Sequence, residues 1–351
     1  MFEKNKRINY TELKEFSRKV MRKAGCSEEE AEIVADVLVE ADLRGIHSHG
    51  VSRLKRYVQH IKEGIIEPNK DPDIILETDL SLVVDGKNGV GQYIANKVID
   101  MVSKKAKTSG VCIATVRNAN HYGIAGYYAE KIAKNKMIGI ALTNTAPLVV
   151  PTFSKHMLLG TNPIAFAIPA NSKIILVDMA TSIVSRGKLE LYSRQREKIP
   201  LGWAVNQKGK GTDDPDLVLE NMKNRSRGGL LPLGGEGELF GGHKGYGLSL
   251  LVELLTGGLS LGNFSYETYN KQGGISFFFM AIDLNIFGNA ESIKKHIDEL
   301  LVKIRNSEKA ENCERIYIHG EKEYEKRDEN ILKGIMLDNP TIESLNELDR
   351  L

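Results

Sequence analysis

Apolar residues recur at helical spacing through the first quarter of the chain. The pattern predicts three helices, which begin near Thr11, Ser27 and Val51, and Thr11 is the expected cap of the first. Ser27 also begins the Ser-x-x-Glu spacing of a capping box. The first helix is expected to end at Gly25 and the second at Gly45, because glycine commonly follows the last helical residue. The apolar positions of these two helices are Leu13, Phe16, Val20, Ala31, Val34, Leu38 and Ala41.

From about residue 75 the pattern alternates between short apolar runs and amphipathic segments. This alternation predicts an α/β domain with a substantial sheet. The expected strands are 81–86, 110–118, 137–144, 173–180, 275–284 and a short strand at 314–320. The expected helices are 92–107, 123–136, 244–259 and 291–305, with loops at 193–228 and 259–274.

Composition excludes several classes of protein. The net charge is only +2, and the one basic cluster, at 223–229, is short and lacks aromatic residues, which argues against nucleic-acid binding. No apolar run reaches membrane-spanning length and the N-terminus has no signal-peptide pattern, so we expect a cytoplasmic protein. Three widely separated cysteines, Cys26, Cys112 and Cys313, form neither a disulfide framework nor a zinc spacing.

Two glycine-rich segments come close to nucleotide-binding patterns without matching them. Residues 86–93 lie between a strand and a helix, but Ile94 replaces the third glycine of the dinucleotide fingerprint. A tight strand-to-helix turn explains this segment better. In 241–247, Lys244 is followed by Gly245 where a Walker A loop has serine or threonine. That segment suits either an anion at a helix start or a plain entry into a buried helix.

Polar residues follow several predicted strands. Asn118, Asn120 and His121 come after the strand at 110–118, and further polar clusters lie at 143–145, 160–163 and 178–182. Ligand sites of α/β proteins form at the carboxyl ends of strands, so the set predicts one shared site. At this point a structural and a catalytic role fit His121 equally well.

The segment 44–57 contains His47, Ser48, His49, Arg53 and Tyr57. A zinc site would need a third ligand at a matched spacing, and a serine hydrolase would need a G-x-S-x-G turn. An anion pocket fits better, because arginine can bind a carboxylate through two parallel hydrogen bonds. The residues favour a carboxylate-binding pocket.

Taken together, several motifs resemble those of the malate/L-lactate dehydrogenase family. These NAD(P)-dependent oxidoreductases lie outside the Rossmann class and include sulfolactate and ureidoglycolate dehydrogenases and a cyclic imino-acid reductase. The resemblance runs over about residues 10–325, and the stretch 230–250 is most similar to members called malate dehydrogenase. The motifs are DLRGIHSHGVSRLKRY (42–57), RNANHYGIAGYY (117–128), LGTNPIAFAIP (159–169), DMATS (178–182), SRGKLE (185–190), LLPLGG (230–235) and HKGYGLSL (243–250).

The resemblance implies a non-Rossmann, mixed-sheet α/β fold of the L-sulfolactate dehydrogenase-like type, with a helical N-terminal region. We expect that region, 1–75, to contribute the substrate pocket. Residues 76–118 with 275–351 would form an α/β region, and 119–274 a cofactor-binding region. A homodimer with its active site near the subunit contact is also implied.

The resemblance further assigns site residues. The catalytic histidine falls on His121, while Arg53 would bind the substrate carboxylate and His49 and Ser48 would orient the substrate. Tyr57 would line the pocket, and the adjacent Asn120 is a further candidate for contact there. The cofactor, NAD or NADP, would contact Thr145, Asp178, Met179, Ala180, Lys244, His319, Gly320 and Glu321. No metal is expected.

The expected activity is hydride transfer between nicotinamide and a small 2-hydroxy or 2-oxo acid, with malate and oxaloacetate favoured. Lactate, sulfolactate, ureidoglycolate or a cyclic imino acid are alternative substrates. A non-catalytic cofactor-binding protein is a rival from another class, but it would lose His121 or Arg53, and both are present. A metal hydrolase is a third interpretation.

Overall fold

The computed structural model describes residues 2–270 and 272–350. Its helices are α1 (Tyr10–Lys23), α2 (Glu28–Leu43), α3 (Leu54–Lys62), α4 (Gly91–Ser109), α5 (Ala125–Ala133), α6 (Arg186–Gln195), α7 (Pro215–Lys223), α8 (Gly242–Glu253), α9 (Ala290–Arg305), α10 (Glu321–Lys333) and α11 (Asn339–Asp349). Its strands are β1 (Arg7–Ile8), β2 (Asp73–Glu77), β3 (Ser81–Asp85), β4 (Val111–Ala119), β5 (Met137–Thr143), β6 (Ile164–Pro169), β7 (Ile174–Met179), β8 (Ala204–Val205), β9 (Gly211–Thr212), β10 (Gly229–Leu230), β11 (Ile275–Asp283) and β12 (Ile335–Met336).

The three N-terminal helices form as their apolar spacing predicts. The capping box of α2 is present in both directions, with Ser27 and Glu30 each accepting the other's backbone amide. The cap of α1 differs from the prediction. Asn9, not Thr11, is the N-cap, because its side-chain oxygen accepts the Thr11 amide at 2.9 Å and the Thr11 hydroxyl at 2.7 Å.

The main sheet has seven strands in the order β2-β3-β4-β11-β5-β6-β7. Only the β3–β4 pairing in it is parallel, and the remaining pairs are antiparallel. This confirms a mixed sheet and differs from the parallel Rossmann order. Because β4 and β5 are both antiparallel to β11, and β6 lies between β5 and β7, the carboxyl ends of β4, β5 and β7 share one edge.

The glycine-rich turn between β3 and α4 is filled by protein. A Cβ on Gly91 would overlap the carbonyl oxygen of Asn120, and a Cβ on Gly86 would lie 3.1 Å from that of Asn118. These glycines therefore allow the turn to approach the end of β4, as expected of a tight strand-to-helix turn.

Two predictions along the chain are wrong. Residues 314–320 form no strand, because this segment is irregular and the Ile318 amide donates to a side-chain oxygen of Glu321 at 2.9 Å. The stretch 193–228 is also more than a loop. It contains α7, which Asp214 caps by accepting the amides of residues 216 and 217, together with β8 and β9.

The two ends of the described chain pack together. Strand β1 pairs antiparallel with β12, and the backbone of Phe2 exchanges two 2.9 Å hydrogen bonds with the Asn346 side chain. Helix α11 contacts α3 and the 3₁₀ turn Val51–Arg53. A second, smaller core lies within 149–231 and includes Val149, Leu189, Val218 and Leu230.

Among the described residues, no helix combines the length and the apolar composition needed to cross a bilayer.

Candidate active site

A cavity of about 340 Å³ lies at the edge where β4, β5 and β7 end. Its volume falls within the roughly 300–1,000 Å³ typical of small-molecule sites. The polar strand ends meet there, as the sequence predicts, and the segment 46–60 closes the opposite side. The predicted site residues that line the cavity are Ser48, His49, Arg53, Tyr57, His121, Thr145, Asp178, Met179 and Ala180.

A buried carboxylate shapes the loop that carries the histidines. Asp42, at 0% exposure, accepts the Val51 amide at 2.7 Å and lies 2.8 Å from Nδ1 of His47. A Cβ on Gly50 would overlap that carboxylate. Burial raises the pKa of Asp42, and its two hydrogen-bond partners oppose the shift. Sequence reasoning missed Asp42, although an acid within the apolar pattern of α2 is a signal of this kind.

Ser48, His49 and Arg53 are linked through this loop. The Ser48 hydroxyl lies 2.9 Å from Nδ1 of His49, and Nε of Arg53 donates to the Ser48 carbonyl at 2.5 Å. Burial and the nearby guanidinium lower the pKa of His49 to about 4, so this ring is neutral at neutral pH. The terminal nitrogens of Arg53 have no protein partner in the described part of the chain and remain available to an anion.

His121 is held between aromatic neighbours. Its ring stacks on His49 with centroids 5.6 Å apart, and its Nδ1 lies 2.7 Å from the hydroxyl of Tyr57. The Gly123 amide also donates to Nδ1 at 3.3 Å. In this arrangement Nδ1 accepts, so the neutral ring carries its proton on Nε2. Burial, aided by surrounding cations, holds the pKa of His121 well below its usual value.

Asn120 lies outside the cavity lining. It is 1% exposed, and its amide nitrogen donates to the carbonyls of Ile65, Asn88 and Gly89 at 2.8–3.3 Å. These contacts tie the end of β4 to the neighbouring turns. The side chain therefore fixes the loop on which His121 is carried.

On the other side of the cavity, Asp178 lies at the end of β7. Its carboxylate accepts the Gly126 amide at 2.7 Å, in the first turn of α5. Burial raises the pKa of Asp178 to about 6, while that hydrogen bond acts in the opposite direction. The nearby Tyr122, another residue that sequence reasoning missed, is 1% exposed and lines the cavity. Its hydroxyl has no hydrogen-bond partner within the described ranges.

The remaining predicted cofactor residues lie away from the cavity. Lys244 is exposed in the first turn of α8, and His319 is also exposed. A Cβ on Gly320 would lie 3.1 Å from Leu176, so this segment packs against β7. The Glu321 carboxylate binds three cations, and these and the Ile318 amide lower its pKa to about 2 despite burial. The cations are Lys173, Arg305 and Arg315.

Within residues 2–270 and 272–350, no three His, Cys, Asp or Glu side chains are grouped so that they could hold a metal ion.

Comparison with known proteins shows which family the chain belongs to. The family model described as malate/L-lactate dehydrogenase matches residues 8–346. This chain belongs to that family. Relatives of this chain are named as dehydrogenases or as an imino-acid reductase, so the chain is an oxidoreductase, and membership implies a nicotinamide cofactor.

Relatives support this membership over nearly the whole chain. The malate dehydrogenase of Pyrococcus abyssi is 47% identical over 347 residues, which cover 98% of this chain and 94% of the relative. The L-sulfolactate dehydrogenase of Methanocaldococcus jannaschii is 43% identical over 306 residues, covering 86% and 85%. The crystal structure of malate dehydrogenase from Entamoeba histolytica superposes with a TM-score of 0.94 at 38% identity, covering 98% and 97%. The mixed-sheet fold predicted for the family is thereby confirmed.

The cavity has polar groups that fit the family's cofactor. A nicotinamide ring carries a carboxamide, which both donates and accepts hydrogen bonds. The Asp178 carboxylate, which lines the cavity, supplies an acceptor for the carboxamide N–H, and the Thr145 hydroxyl, which also lines it, can donate to the carboxamide oxygen. This pair of groups suits the carboxamide, which needs one acceptor and one donor.

Proposed function

We propose that this enzyme transfers a hydride between a nicotinamide cofactor and a small 2-hydroxy or 2-oxo acid, with L-malate and oxaloacetate as its substrates. One observation carries the proposal. The free terminal nitrogens of Arg53 and the neutral ring of His121 belong to the same cavity as Asp178 and Tyr122. Two relatives that are 47% and 45% identical are called malate dehydrogenase, which supports malate among the possible acids.

Substrate binding is assigned to the loop built on Asp42. Arg53 clamps the carboxylate next to the reacting carbon, because its fork is anchored at Nε and free at both ends. Ser48 and His49 orient the substrate from the same loop. Tyr57 is 3% exposed and holds His121 from the adjoining face of α3.

The proton is assigned to His121. When bound, the nicotinamide supplies or accepts the hydride, and the protein must then handle one proton on the substrate oxygen. In oxidation a neutral imidazole can accept that proton, and the depressed pKa of His121 keeps this form dominant at neutral pH. For Nε2 to act as the base, Nδ1 must carry the ring proton and donate to Tyr57. The tyrosine hydroxyl suits this reversal because it can donate or accept.

For the cofactor we propose two sets of contacts. Thr145, Asp178, Met179 and Ala180 would contact its nicotinamide end, because they line the cavity. Lys244, His319, Gly320 and Glu321 would contact its outer parts, as NAD or NADP extends beyond a cavity of this size. Support for the last three comes from their position beside β7, the strand that carries Asp178 into the cavity.

We also propose a cytoplasmic homodimer, with residues 1–75 forming the substrate side and 119–274 the cofactor side. The remaining α/β region, 76–118 with 275–351, supports both. Exposed leucines on and after α8 support the dimer, because large apolar patches usually mark contact surfaces. They are Leu250, Leu251, Leu254, Leu259 and Leu261.

The decisive experiment is a substrate panel with both cofactors. Purified enzyme is mixed with malate, lactate, sulfolactate, ureidoglycolate or piperideine-2-carboxylate, and nicotinamide absorbance is followed with NAD and with NADP. We expect malate oxidation and oxaloacetate reduction to be fastest, and a chelator to leave them unchanged. A higher rate with another acid would reassign the substrate, while loss of activity with chelator and recovery with zinc would exclude a metal-free reaction.

A further inference from the structure

Three arginines line the cavity, although the proposed reaction uses only one of them. Arg56 and Arg186 line it beside Arg53. Within the described chain, Asp178 is the one carboxylate that lines the same cavity. The lining therefore contains more guanidinium groups than the single carboxylate of a simple 2-hydroxy acid can bind, although Glu190, outside the lining, offsets the charge of Arg186. A second guanidinium in the lining can bind a second negative group of the substrate.

Arg53 and Arg186 are held in the same way. Each guanidinium makes its hydrogen bond through Nε, Arg53 to the Ser48 carbonyl at 2.5 Å and Arg186 to Glu190 at 2.9 Å. No described residue binds the terminal nitrogens of either side chain. A guanidinium fixed at Nε presents its other edge as a preoriented fork, the geometry that binds carboxylates and sulfonates through two bonds.

Arg186 also lies next to the loop that carries Ser48 and His49. It begins α6, and a Cβ on its neighbour Gly187 would lie only 3.3 Å from the Cβ of Ser48. Burial lowers the pKa of the Arg53 guanidinium, and the positive charges of Arg56 and Arg186 add to this shift. Free amides in the first turn of α6 add further donors on this side of the cavity.

Arg56 is less suited to the same task. Its side chain is exposed, and its guanidinium lies over the ring of Tyr269 at 5.5 Å. Its Nε contacts His60 at 3.4 Å, a neutral and long partner compared with Glu190. Arg56 contributes positive charge to the cavity, but the guanidinium of Arg186 is held more firmly in one orientation.

We propose that Arg186 is the specificity residue that binds the second anionic group of the substrate. The enzyme then selects 2-hydroxy acids whose chain ends in a carboxylate or a sulfonate over acids of the same length that end in a methyl group. Arg53 binds the carboxylate beside the reacting carbon, and Arg186 binds the far end. This inference rests on the proposed function. It assigns recognition of the substrate class to the side chain of Arg186.

The test compares malate with 2-hydroxybutyrate, in which a methyl group replaces the far carboxylate. In Arg186→Gln, kcat/KM for malate should fall on the order of 10- to 100-fold, the usual value of a hydrogen bond to a charged group. The loss should lie in KM, with kcat changed less than about threefold, because the far group takes no part in the chemistry. The rate with 2-hydroxybutyrate should stay the same, and Arg186→Lys should restore part of the malate affinity.

Arg194→Gln is the matched control. Arg194 lies on the same helix but outside the cavity lining, where it pairs with Asp338 at 3.4 Å, so this variant should behave as wild type with both acids. Sulfolactate distinguishes the two kinds of far group, and its KM should rise in Arg186→Gln as that of malate does. Equal losses for malate and 2-hydroxybutyrate, a loss confined to kcat, or no loss at all would overturn the assignment of Arg186. Wild-type enzyme that oxidises none of these acids would instead overturn the proposed function, and this inference with it.

Discussion

The hydroxyl oxygen of Tyr57 lies 2.7 Å from Nδ1 of His121, and the two residues come from different parts of the chain. Tyr57 belongs to α3, while His121 follows β4. The contact joins the substrate loop to the sheet edge at the atom that sets the tautomer of the histidine.

Tyr57→Phe should therefore affect the chemistry more than substrate binding. Nδ1 would then contact only the Gly123 amide, which is a weak donor. A proton on Nδ1 would have no hydrogen-bond acceptor, so the tautomer with an unprotonated Nε2 would be disfavoured. We expect kcat to fall about tenfold, near the upper value of one net hydrogen bond, with a smaller change in KM. Steady-state kinetics measure this, and an unchanged kcat would show that the tyrosine does not set the tautomer.

The pH dependence should reveal the depressed pKa of His121. Oxidation needs the neutral ring, so kcat/KM for oxidation should rise with pH and level off below pH 6.5, because the pKa is lowered from that value. Reduction needs the protonated ring and should fall with pH over the same range. Bound substrate carboxylate favours the protonated ring, so the corresponding step in kcat should appear at higher pH.

His121→Asn tests whether the ring itself carries the proton. The amide keeps a hydrogen-bonding side chain but cannot titrate, so kcat should fall by about 10²–10⁴-fold and the pH step should disappear. Cofactor affinity, measured by fluorescence titration, should change little. If most of kcat and the wild-type pH profile survive, His121 only holds the loop.

Arg53→Lys keeps the charge and removes both the fork and the anchor at the Ser48 carbonyl. We expect KM for the 2-hydroxy acid to rise on the order of 10- to 100-fold, with a smaller loss in kcat. Arg18→Lys is the control, because Arg18 pairs with Glu15 and Glu28 on the protein surface away from the cavity. A KM unchanged in Arg53→Lys would remove this side chain from carboxylate binding.

The exposed leucines after the start of α8 offer a test of the dimer. Wild-type protein should sediment as a dimer, and Leu251→Asp should shift it towards the monomer, because the side chain is 54% exposed and a buried charge there is costly. Leu300→Asp on α9 is a control with similar exposure, 57%, outside this cluster. A wild-type monomer with full activity would exclude the dimer altogether.

Local sequence signals predicted the elements that depend on neighbouring residues. The capping box at Ser27 is satisfied by Glu30 three residues away, and the apolar runs at β4 and β5 are buried as expected. The incomplete dinucleotide pattern at 86–93 also predicted a tight turn correctly, because its glycines allow close contact with Asn118 and Asn120.

What the sequence could not show depends on contacts between distant segments. Arg186 and Glu190 are four residues apart on α6 and look like an ordinary solvated helix pair until the first turn of α6 is placed against Ser48. Asp42 is one acid among several in α2, and only the fold shows that Val51 and His47 satisfy it in the core. The segment 314–320 alternates like a strand, but it has no strand partner.

Strand β1 pairs with β12, and α11 packs against the turn that contains Arg53. These contacts bear on the order in which the chain can fold. A ribosome makes Arg53 early and residues 335–348 almost three hundred positions later. Until that late stretch emerges, β1 cannot pair with β12, and α11 cannot pack against the turn that contains Arg53. The arginine to which we assign the substrate carboxylate is thus translated early but reaches its final packing only after residues 335–348 have been made, so we expect a prematurely stopped chain to bind the acid weakly.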